Sequence, residues 1–174
     1  MVQNIAIVGL NRSQAYEVGK LLAEELDMHF FDCLELFEFD NIPRTFPMML
    51  EEFGEKYYRQ KEKGMLKYAA GFNECIINLE CGVAESKSKL ETVKSNCLLI
   101  YLHAPASKIK KKIEKVKYAT KYEKKFFDVS LEKVNVRIKA LKEEADIVIP
   151  AIQGSALKLC SEILRKIKAY YNVQ

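Results

Sequence analysis

The sequence predicts an α/β domain in which helices cover both faces of a parallel β-sheet. Short apolar runs rich in β-branched residues alternate along the chain with longer stretches whose apolar residues recur at helical spacing. Strands and helices in alternation indicate βαβ units, which build parallel sheets. The 174 residues suffice for one domain with a sizeable core and are too few for two ordinary domains.

The first predicted element is a strand over residues 3–9, where the run Asn-Ile-Ala-Ile-Val has the apolar character of a strand buried on both faces. A helix follows, because apolar residues recur at helical spacing from Ala15 to Leu26. The octet from Gly9 to Tyr16 is therefore a strand-to-helix turn.

This octet reads Gly-Leu-Asn-Arg-Ser-Gln-Ala-Tyr and occupies the position of a phosphate-binding loop, G-x-x-x-x-G-K-[ST]. In such a loop the second glycine lets backbone amides wrap the phosphates, the lysine reaches the β- and γ-phosphates, and the hydroxyl holds Mg²⁺. Gln14, Ala15 and Tyr16 stand at these three positions, so the amide cradle, the cation and the metal ligand are lost. We therefore predict weak or no binding of ATP·Mg²⁺.

Replacements for the lost groups stay open. Lys20, one turn further along the helix, and the lysines of residues 108–125 are candidates for the missing cation. Gly9, Arg12 and Ser13 are the remaining candidates for holding a nucleotide phosphate or another anion at the helix N-terminus.

The later strands are predicted near residues 28–32, 75–80, 97–102 and 145–149. Pro43 and Pro47 are expected to break the chain before a long helix over residues 51–70. The last helix is predicted over residues 153–171, with an amphipathic stripe that packs on the sheet. No internal repeat or linker divides the sequence, which we interpret as a single domain.

Composition limits the class of protein. Charged residues make up 30% and hydrophobic residues 49%, as in a globular protein. No apolar run approaches the length of a membrane span, and the N-terminus enters a strand without a basic leader, so we expect a cytoplasmic protein with no membrane partner. The five cysteines are odd in number and scattered, which indicates reduced, buried thiols.

The net charge of +4 is unevenly distributed, because lysines crowd residues 108–125. A nucleic-acid site would need aromatic residues interleaved for stacking or a recognisable module. The aromatic residues of this stretch supply the stacking only in part: Tyr118, Tyr122, Phe126 and Phe127. We interpret the stretch as a solvated helical face or a phosphate-facing lid, and nucleic acid is not the expected partner.

The order of these elements resembles the shikimate kinase family of small P-loop kinases. Residues 4–9 look like the first strand of that family and the start of its loop, and residues 18–26 look like its first helix. Residues 101–105 and 144–148 are similar to its fourth and fifth strands. The resemblance implies a three-layer P-loop NTPase-type fold with a five-stranded parallel sheet flanked by helices.

Other matches fall on residues that the family uses to hold its substrates. Residues 30–32 are similar to the strand whose aspartate sits beside the transferred phosphoryl group, which implies a vestigial catalytic role for Asp32. The next functional aspartate of the family falls at Leu34 and is absent. Residues 54–62 resemble the helix G-E-x-x-F-R-x-x-E, whose arginine, here Arg59, grips the shikimate carboxylate.

Residues 78–83 stand where the family has a strand followed by three glycines, and only the last of these, Gly82, is kept. Arg137 looks like the second substrate arginine, and Lys112 matches an arginine that usually lies against the nucleotide. The lid signature Arg-Pro-Leu-Leu does not occur between residues 115 and 129.

Within the single domain of residues 1–174, the resemblance also implies a substrate-binding helical segment at about 33–71 and a lid-like basic segment at about 108–128. The residues that are lost belong mostly to phosphoryl transfer, whereas the retained ones belong largely to the acceptor side. We therefore expect Arg59 and Arg137 to converge on one pocket near Asp32.

Three simpler interpretations stay open. Arg59 has glutamates at helical spacing, Glu55 and Glu62, so it is also consistent with a surface ion pair. The same holds for Arg137, which has Glu132 and Glu144 not far away in the sequence. Asp32 is also consistent with a cap on the helix that follows it.

The leading hypothesis is a catalytically degenerate homologue of shikimate kinase that acts as a regulatory or interaction module. It would keep at most a site for a small carboxylate or phosphate ligand and would need no cofactor. Phosphoryl transfer relies on preorganised charges, and losing one such donor typically costs about 10²- to 10³-fold in rate. Two alternatives stay open: an active shikimate kinase or related small-molecule kinase with ATP and Mg²⁺ at a non-standard site, and a basic protein that binds phosphate or nucleic acid.

Overall fold

The structure, a computed structural model, describes residues 4–10, 12–151 and 154–172, apart from the side chains of Arg12 and Ser13. Its strands are β1 (Asn4–Gly9), β2 (His29–Asp32), β3 (Cys75–Leu79), β4 (Cys97–His103) and β5 (Ile147–Pro150). Its α-helices are α1 (Arg12–Leu26), α2 (Cys33–Phe39), α3 (Phe46–Ala70), α4 (Lys87–Lys94), α5 (Ala106–Ile113), α6 (Lys121–Phe127), α7 (Leu131–Glu144) and α8 (Ala156–Asn172). A short 3₁₀ helix, Cys81–Glu85, follows β3.

The five strands form one parallel sheet in the order β2-β3-β1-β4-β5. β1 lies at the centre, and all six of its residues are buried. The predicted fold class is therefore confirmed. In open parallel sheets ligands bind beyond the carboxyl ends of the strands, and here these ends carry the turn after β1 and the 3₁₀ helix after β3.

Alternate residues of β1 serve the two faces of the sheet, as the period of a strand requires. Ile5 and Ile7 pack with α1 and α8 on one face, and Ala6 and Val8 belong to the core on the other face, which includes Leu141 of α7. A third apolar cluster joins α2, α3 and α6 and contains Leu34, Phe37, Phe46, Tyr58 and Phe126. This cluster packs the segment 33–71 against the lid-like segment 108–128.

Helix α3 differs from its prediction in two ways. It begins at Phe46 rather than at residue 51, and Pro47 lies in its first turn, where the missing N–H of proline costs nothing. It is also broken at Gly54, whose φ of 75° only glycine adopts readily. The last helix begins at Ala156, and the predicted start at residue 153 lies outside the described residues.

All five cysteines are free, four of them buried, as predicted. Within the described ranges, no helix is both long enough and apolar enough to span a membrane.

Candidate functional site

The turn after β1 has alanine where a phosphate-binding loop has its lysine. The side chain of Ala15 is 1% exposed and belongs to the core between α1 and the sheet. Gly9 ends β1 and is buried. Residue 11 and the side chains of Arg12 and Ser13 lie outside the described part of the chain, so an anion site there stays a prediction.

Tyr16, at the position of the Mg²⁺-binding hydroxyl, contacts protein groups. Its hydroxyl donates a hydrogen bond of 2.8 Å to Oε1 of Glu35, and its ring meets Phe30 edge-on at a centroid distance of 5.3 Å. The ammonium of Lys20 lies 5.5 Å from the centroid of the Tyr16 ring. Lys20 is the candidate closest in sequence to the position of the missing lysine, and its ammonium therefore lies against an aromatic ring.

Asp32 caps α2. Its Oδ1 accepts hydrogen bonds of 3.0 Å from the backbone N–H groups of Leu34 and Glu35, and its Oδ2 accepts one of 2.6 Å from Nδ2 of Asn78. These are the bonds of a helix N-cap, so the structure supports the capping interpretation, and a vestigial catalytic role stays a prediction. Leu34, where the resemblance places the second functional aspartate of the family, is 4% exposed in the aromatic cluster.

Arg59 reaches from α3 to the residues after β3. Its Nη1 donates to Oε2 of Glu80 at 2.5 Å and to Oε1 of Glu62 at 3.1 Å, and its Nε donates to Glu55 at 3.2 Å. The guanidinium lies 4.6 Å from the centroid of the Phe126 ring. The predicted ion pairs of Arg59 with Glu55 and Glu62 are present, but only 18% of the Arg59 side chain is exposed, so they lie in a largely buried site rather than on the surface.

Gly82 lies directly against the Arg59 guanidinium. A Cβ at position 82 would overlap all three terminal atoms of that group, so the close approach requires glycine. The Gly82 N–H donates 2.8 Å to Oε2 of Glu80, the same oxygen that accepts from Arg59. Glu80 thus caps the 3₁₀ helix and binds Arg59 at once.

Arg137 reaches the same segment from α7 and is 1% exposed. Its Nε donates 2.6 Å to Oε1 of Glu85, its Nη2 forms an ion pair with the same carboxylate, and its Nη1 donates 2.9 Å to Sγ of Cys81. The Cys81 thiol donates in turn to Oε1 of Glu80 at 3.0 Å. Arg59 and Arg137 therefore contact adjacent residues, Glu80 and Cys81.

The two arginines do not form an open clamp, because acidic side chains already bind them. Lys89 pairs with Glu62, and Lys133 pairs with Glu85 at 3.1 Å. The network contains four cationic groups and four carboxylates: Arg59, Lys89, Lys133 and Arg137 with Glu55, Glu62, Glu80 and Glu85. Two donors, Nη2 of Arg59 and Nη2 of Arg137, are buried with no hydrogen-bond partner in the described part of the chain, although the second forms the ion pair with Glu85.

The pKa shifts agree with an internally paired site. Burial alone would raise the pKa of Glu80, but Arg59 and Arg137 together lower that pKa below its ordinary value. For Glu85 burial also acts upward, and Arg137 with Lys133 lowers the pKa. Burial and the Glu80 charge raise the pKa of the Cys81 thiol well above its ordinary value. Glu80 and Glu85 are therefore ionised at neutral pH, and Cys81 is a neutral thiol.

The sequence interpretation singles out Arg59, Gly82 and Arg137 and misses Glu80, Cys81 and Glu85. A signal was available, because Glu80 and Cys81 stand at the positions of the first two glycines in the resembled motif. A glutamate placed in the motif that faces a carboxylate-binding arginine can bind that arginine in place of a ligand, as Glu80 binds Arg59.

A cavity of about 210 Å³ lies between the turn after β1, the 3₁₀ helix and the basic segment 108–128. Its buried end is formed by Leu10, Glu80 and Arg137. Its mouth carries Lys112 and Val116, which are exposed. The structure therefore joins the predicted loop, acceptor and lid regions around one space. Whether Lys112 contacts a nucleotide stays a prediction.

Part of the basic segment 108–128 is hydrogen-bonded to the residues that follow it. Nζ of Lys110 donates 2.5 Å to Oδ1 of Asp128 and 3.0 Å to the carbonyl oxygen of Val129. These bonds link α5 to the residues between α6 and α7.

The strand order and the strand-turn-helix at β1 define a P-loop kinase fold. The sequence model of the shikimate kinase family matches residues 17–168, a range that begins directly after Tyr16. The chain belongs to the shikimate kinase family.

Individual relatives agree with this assignment along almost the whole chain. A shikimate kinase of Dehalococcoides mccartyi is 27% identical over 172 residues, which are 97% of this chain and 96% of that protein. A shikimate kinase of Alkaliphilus oremlandii is 29% identical over 171 residues, 94% of this chain and 98% of that protein. The shikimate kinase from Acinetobacter baumannii, solved in complex with shikimate, superposes with a TM-score of 0.80 at 22% identity, covering 97% of this chain and 94% of that chain.

Proposed function

We propose that this chain is a catalytically inactive member of the shikimate kinase family that acts as a binding or regulatory module. The observation that carries the proposal is Ala15, a core residue at the position of the phosphate-binding lysine. Without the ammonium of that lysine, the phosphates of a bound nucleoside triphosphate would keep much of their negative charge uncompensated.

The neighbouring positions support the same conclusion. The Tyr16 hydroxyl, at the metal-ligand position, is bonded to Glu35, and Leu34 is an apolar core residue where the family has a functional aspartate. Each change removes a different group that phosphoryl transfer needs: the lysine that binds the nucleotide phosphates, the hydroxyl that binds the metal, and the carboxylate near the acceptor.

The acceptor side supports only a restricted anion site. A small carboxylate or phosphate would have to displace Glu80 from Arg59, because that carboxylate occupies Nη1 of the guanidinium at 2.5 Å. Any such displacement leaves the ionised Glu80 without its partner in a buried site, which is costly. We therefore expect weak binding of shikimate and of phosphate.

The test is calorimetric titration with ATP·Mg²⁺ and with shikimate separately, together with an assay of phosphate transfer to shikimate. We expect neither ATP·Mg²⁺ binding in the micromolar range nor transfer above background. Micromolar ATP affinity with measurable transfer would overturn the proposal and establish an active kinase with a non-standard ATP site. The double variant Ala15→Lys with Tyr16→Ser serves as a comparison, because any ATP affinity that it gains reports what these positions remove.

A further inference from the structure

The cavity beneath the basic segment has walls that match neither a kinase nucleotide nor a polyhydroxy acid. Seven of its lining side chains are apolar: Leu10, Ile109, Ile113, Val116, Phe127, Val129 and Val134. They come from the turn after β1, from α5 and the residues after it, from α6, from the turn between α6 and α7, and from α7. A charged ligand placed among them would lose its hydration without gaining hydrogen bonds from these walls.

The charged groups around the cavity balance one another. Glu80 and Arg137 at the buried end are bound by Arg59 and by Glu85 respectively. An anion would meet the Glu80 carboxylate there, and a cation would meet the Arg137 guanidinium. Neither sign of charge is therefore favoured at the buried end.

The uncharged polar groups of the lining are already bonded within the protein. The Cys81 thiol is hydrogen-bonded to Glu80 and Arg137, and the Tyr118 hydroxyl donates to the carbonyl oxygen of Ile113 at 3.3 Å. The ring of Tyr118 stacks with Phe127 at a centroid distance of 6.2 Å and an angle of 14° between the rings, so it adds apolar surface to the walls. The size agrees, because an apolar cavity of about 150 Å³ holds one benzene molecule.

We propose that this cavity binds an uncharged, mainly apolar small molecule of the size of a substituted benzene ring. The inference rests on the proposed loss of phosphoryl transfer, since an active kinase would fill this space with charged substrates. The ligand inferred for this cavity is therefore neutral, whereas the sequence led us to expect a small anion.

The experiment compares three probes of equal size and different charge: benzyl alcohol, benzoate and benzylamine. We expect benzyl alcohol to bind the full chain at least about tenfold more tightly than either ion in calorimetric titration, because desolvating a charged group costs far more than desolvating a hydroxyl. Benzyl alcohol should also raise the melting temperature, since it binds the folded state.

Variants locate the binding. Val116→Trp places a large side chain at the mouth, where residue 116 is 52% exposed, and should abolish benzyl alcohol binding without disturbing the core. Val136→Trp is the matched control, because Val136 is 54% exposed on α7 and does not line the cavity. The control should bind benzyl alcohol as the unmodified chain does, and thermal unfolding of both variants checks that they fold.

Three results would overturn the inference: no benzyl alcohol binding up to about 10 mM, benzoate or benzylamine binding as tightly, or unchanged binding in the Val116→Trp variant. The phosphate-transfer assay separates this inference from the proposed function. Absence of both transfer and benzyl alcohol binding defeats only the neutral ligand, whereas transfer to shikimate defeats the proposed function.

Discussion

The contact between Gly82 and Arg59 shows how one residue fixes the chemistry around it. Because glycine has no Cβ, the guanidinium of Arg59 lies directly on the backbone of residue 82. From there it reaches Glu80 and Glu62 while its face lies over the Phe126 ring. The retained glycine therefore serves an internal ion pair in this chain.

Replacing Gly82 by alanine should destabilise the fold by about 1–3 kcal/mol, because the new methyl group must push a guanidinium held by three carboxylates. Urea unfolding measures the change. Gly64→Ala is the matched control, since nothing lies within 4 Å of its added Cβ on the exposed face of α3. That control should stabilise the protein by about 0.5–1 kcal/mol, and an equal effect of the two substitutions would contradict the steric argument.

Replacing Glu80 by glycine should open the acceptor site to carboxylates. The variant frees Nη1 of Arg59 and removes the buried negative charge that repels an anion, so shikimate should bind more tightly than to the unmodified chain. Lost hydrogen bonds to Arg59 and to the Gly82 N–H should lower the free energy of unfolding by about 1–3 kcal/mol.

Calorimetric titration with shikimate measures the gain. Glu80→Gln is the control, because it removes the charge but keeps the side-chain volume, and it should gain little affinity. If the unmodified chain already binds shikimate as tightly as the glycine variant, Glu80 is not the internal competitor that the structure indicates.

Among the elements, α6 of the basic segment is held in place by contacts with α2, α3 and α5. Phe126 inserts into the aromatic cluster with α2 and α3, and its ring lies 5.0 Å from that of Phe46. At the other end Lys110 of α5 holds Asp128, the residue that caps α6. Helix α6 is thus held at one end by apolar packing of Phe126 and at the other by the bond between Lys110 and Asp128.

Lys110→Ala should loosen α6 without unfolding the protein. The Lys110–Asp128 pair is about three-quarters buried, and loss of such a pair costs about 0.2–1 kcal/mol, so backbone amides of α6 should exchange faster with solvent deuterium. Lys111→Ala is the control, because Lys111 is exposed on the same helix and should leave the exchange unchanged. Equal protection of α6 in the two variants would show that the apolar contact alone holds it.

For the whole molecule, the carboxylates of the site make stability depend on pH. The pKa values of Glu80 and Glu85 lie below their ordinary value of 4.5 in the folded chain. Their contribution is therefore complete above about pH 4.5 and is lost as the pH falls through the lower folded values. Glu62 acts in the opposite direction, because burial raises its pKa despite the charge of Arg59.

We expect Glu85→Gln to flatten the fall in unfolding free energy between about pH 6 and about pH 3, measured by urea titration at each pH. The variant lacks one carboxylate whose protonation is linked to unfolding. Glu91→Gln is the control, because Glu91 is exposed and its ion pair with Lys87, at 4.0 Å, lies in solvent. The pH profile of this variant should follow that of the unmodified chain. Parallel profiles for all three proteins would contradict a stabilising role for Glu85.

The sequence by itself determined the fold and which residues stand at the positions of the nucleotide loop. Buried parallel strands are continuous apolar runs, so the five strands are visible in the local pattern, and the changes at residues 14–16 concern consecutive positions. A helix start is harder to find locally, because Pro47 is compatible both with a break and with the first turn that it occupies in α3.

Only the tertiary structure decided what the retained arginines do. Arg59 meets Glu80 from 21 positions away and Arg137 meets Glu85 from 52 positions away, and no periodicity in the sequence encodes such pairs. The packing of α3, α7 and the 3₁₀ helix around the end of β3 brings these charges together. Because burial makes an unpaired charge costly, that packing turns an acceptor site expected to be open into one that its own carboxylates neutralise.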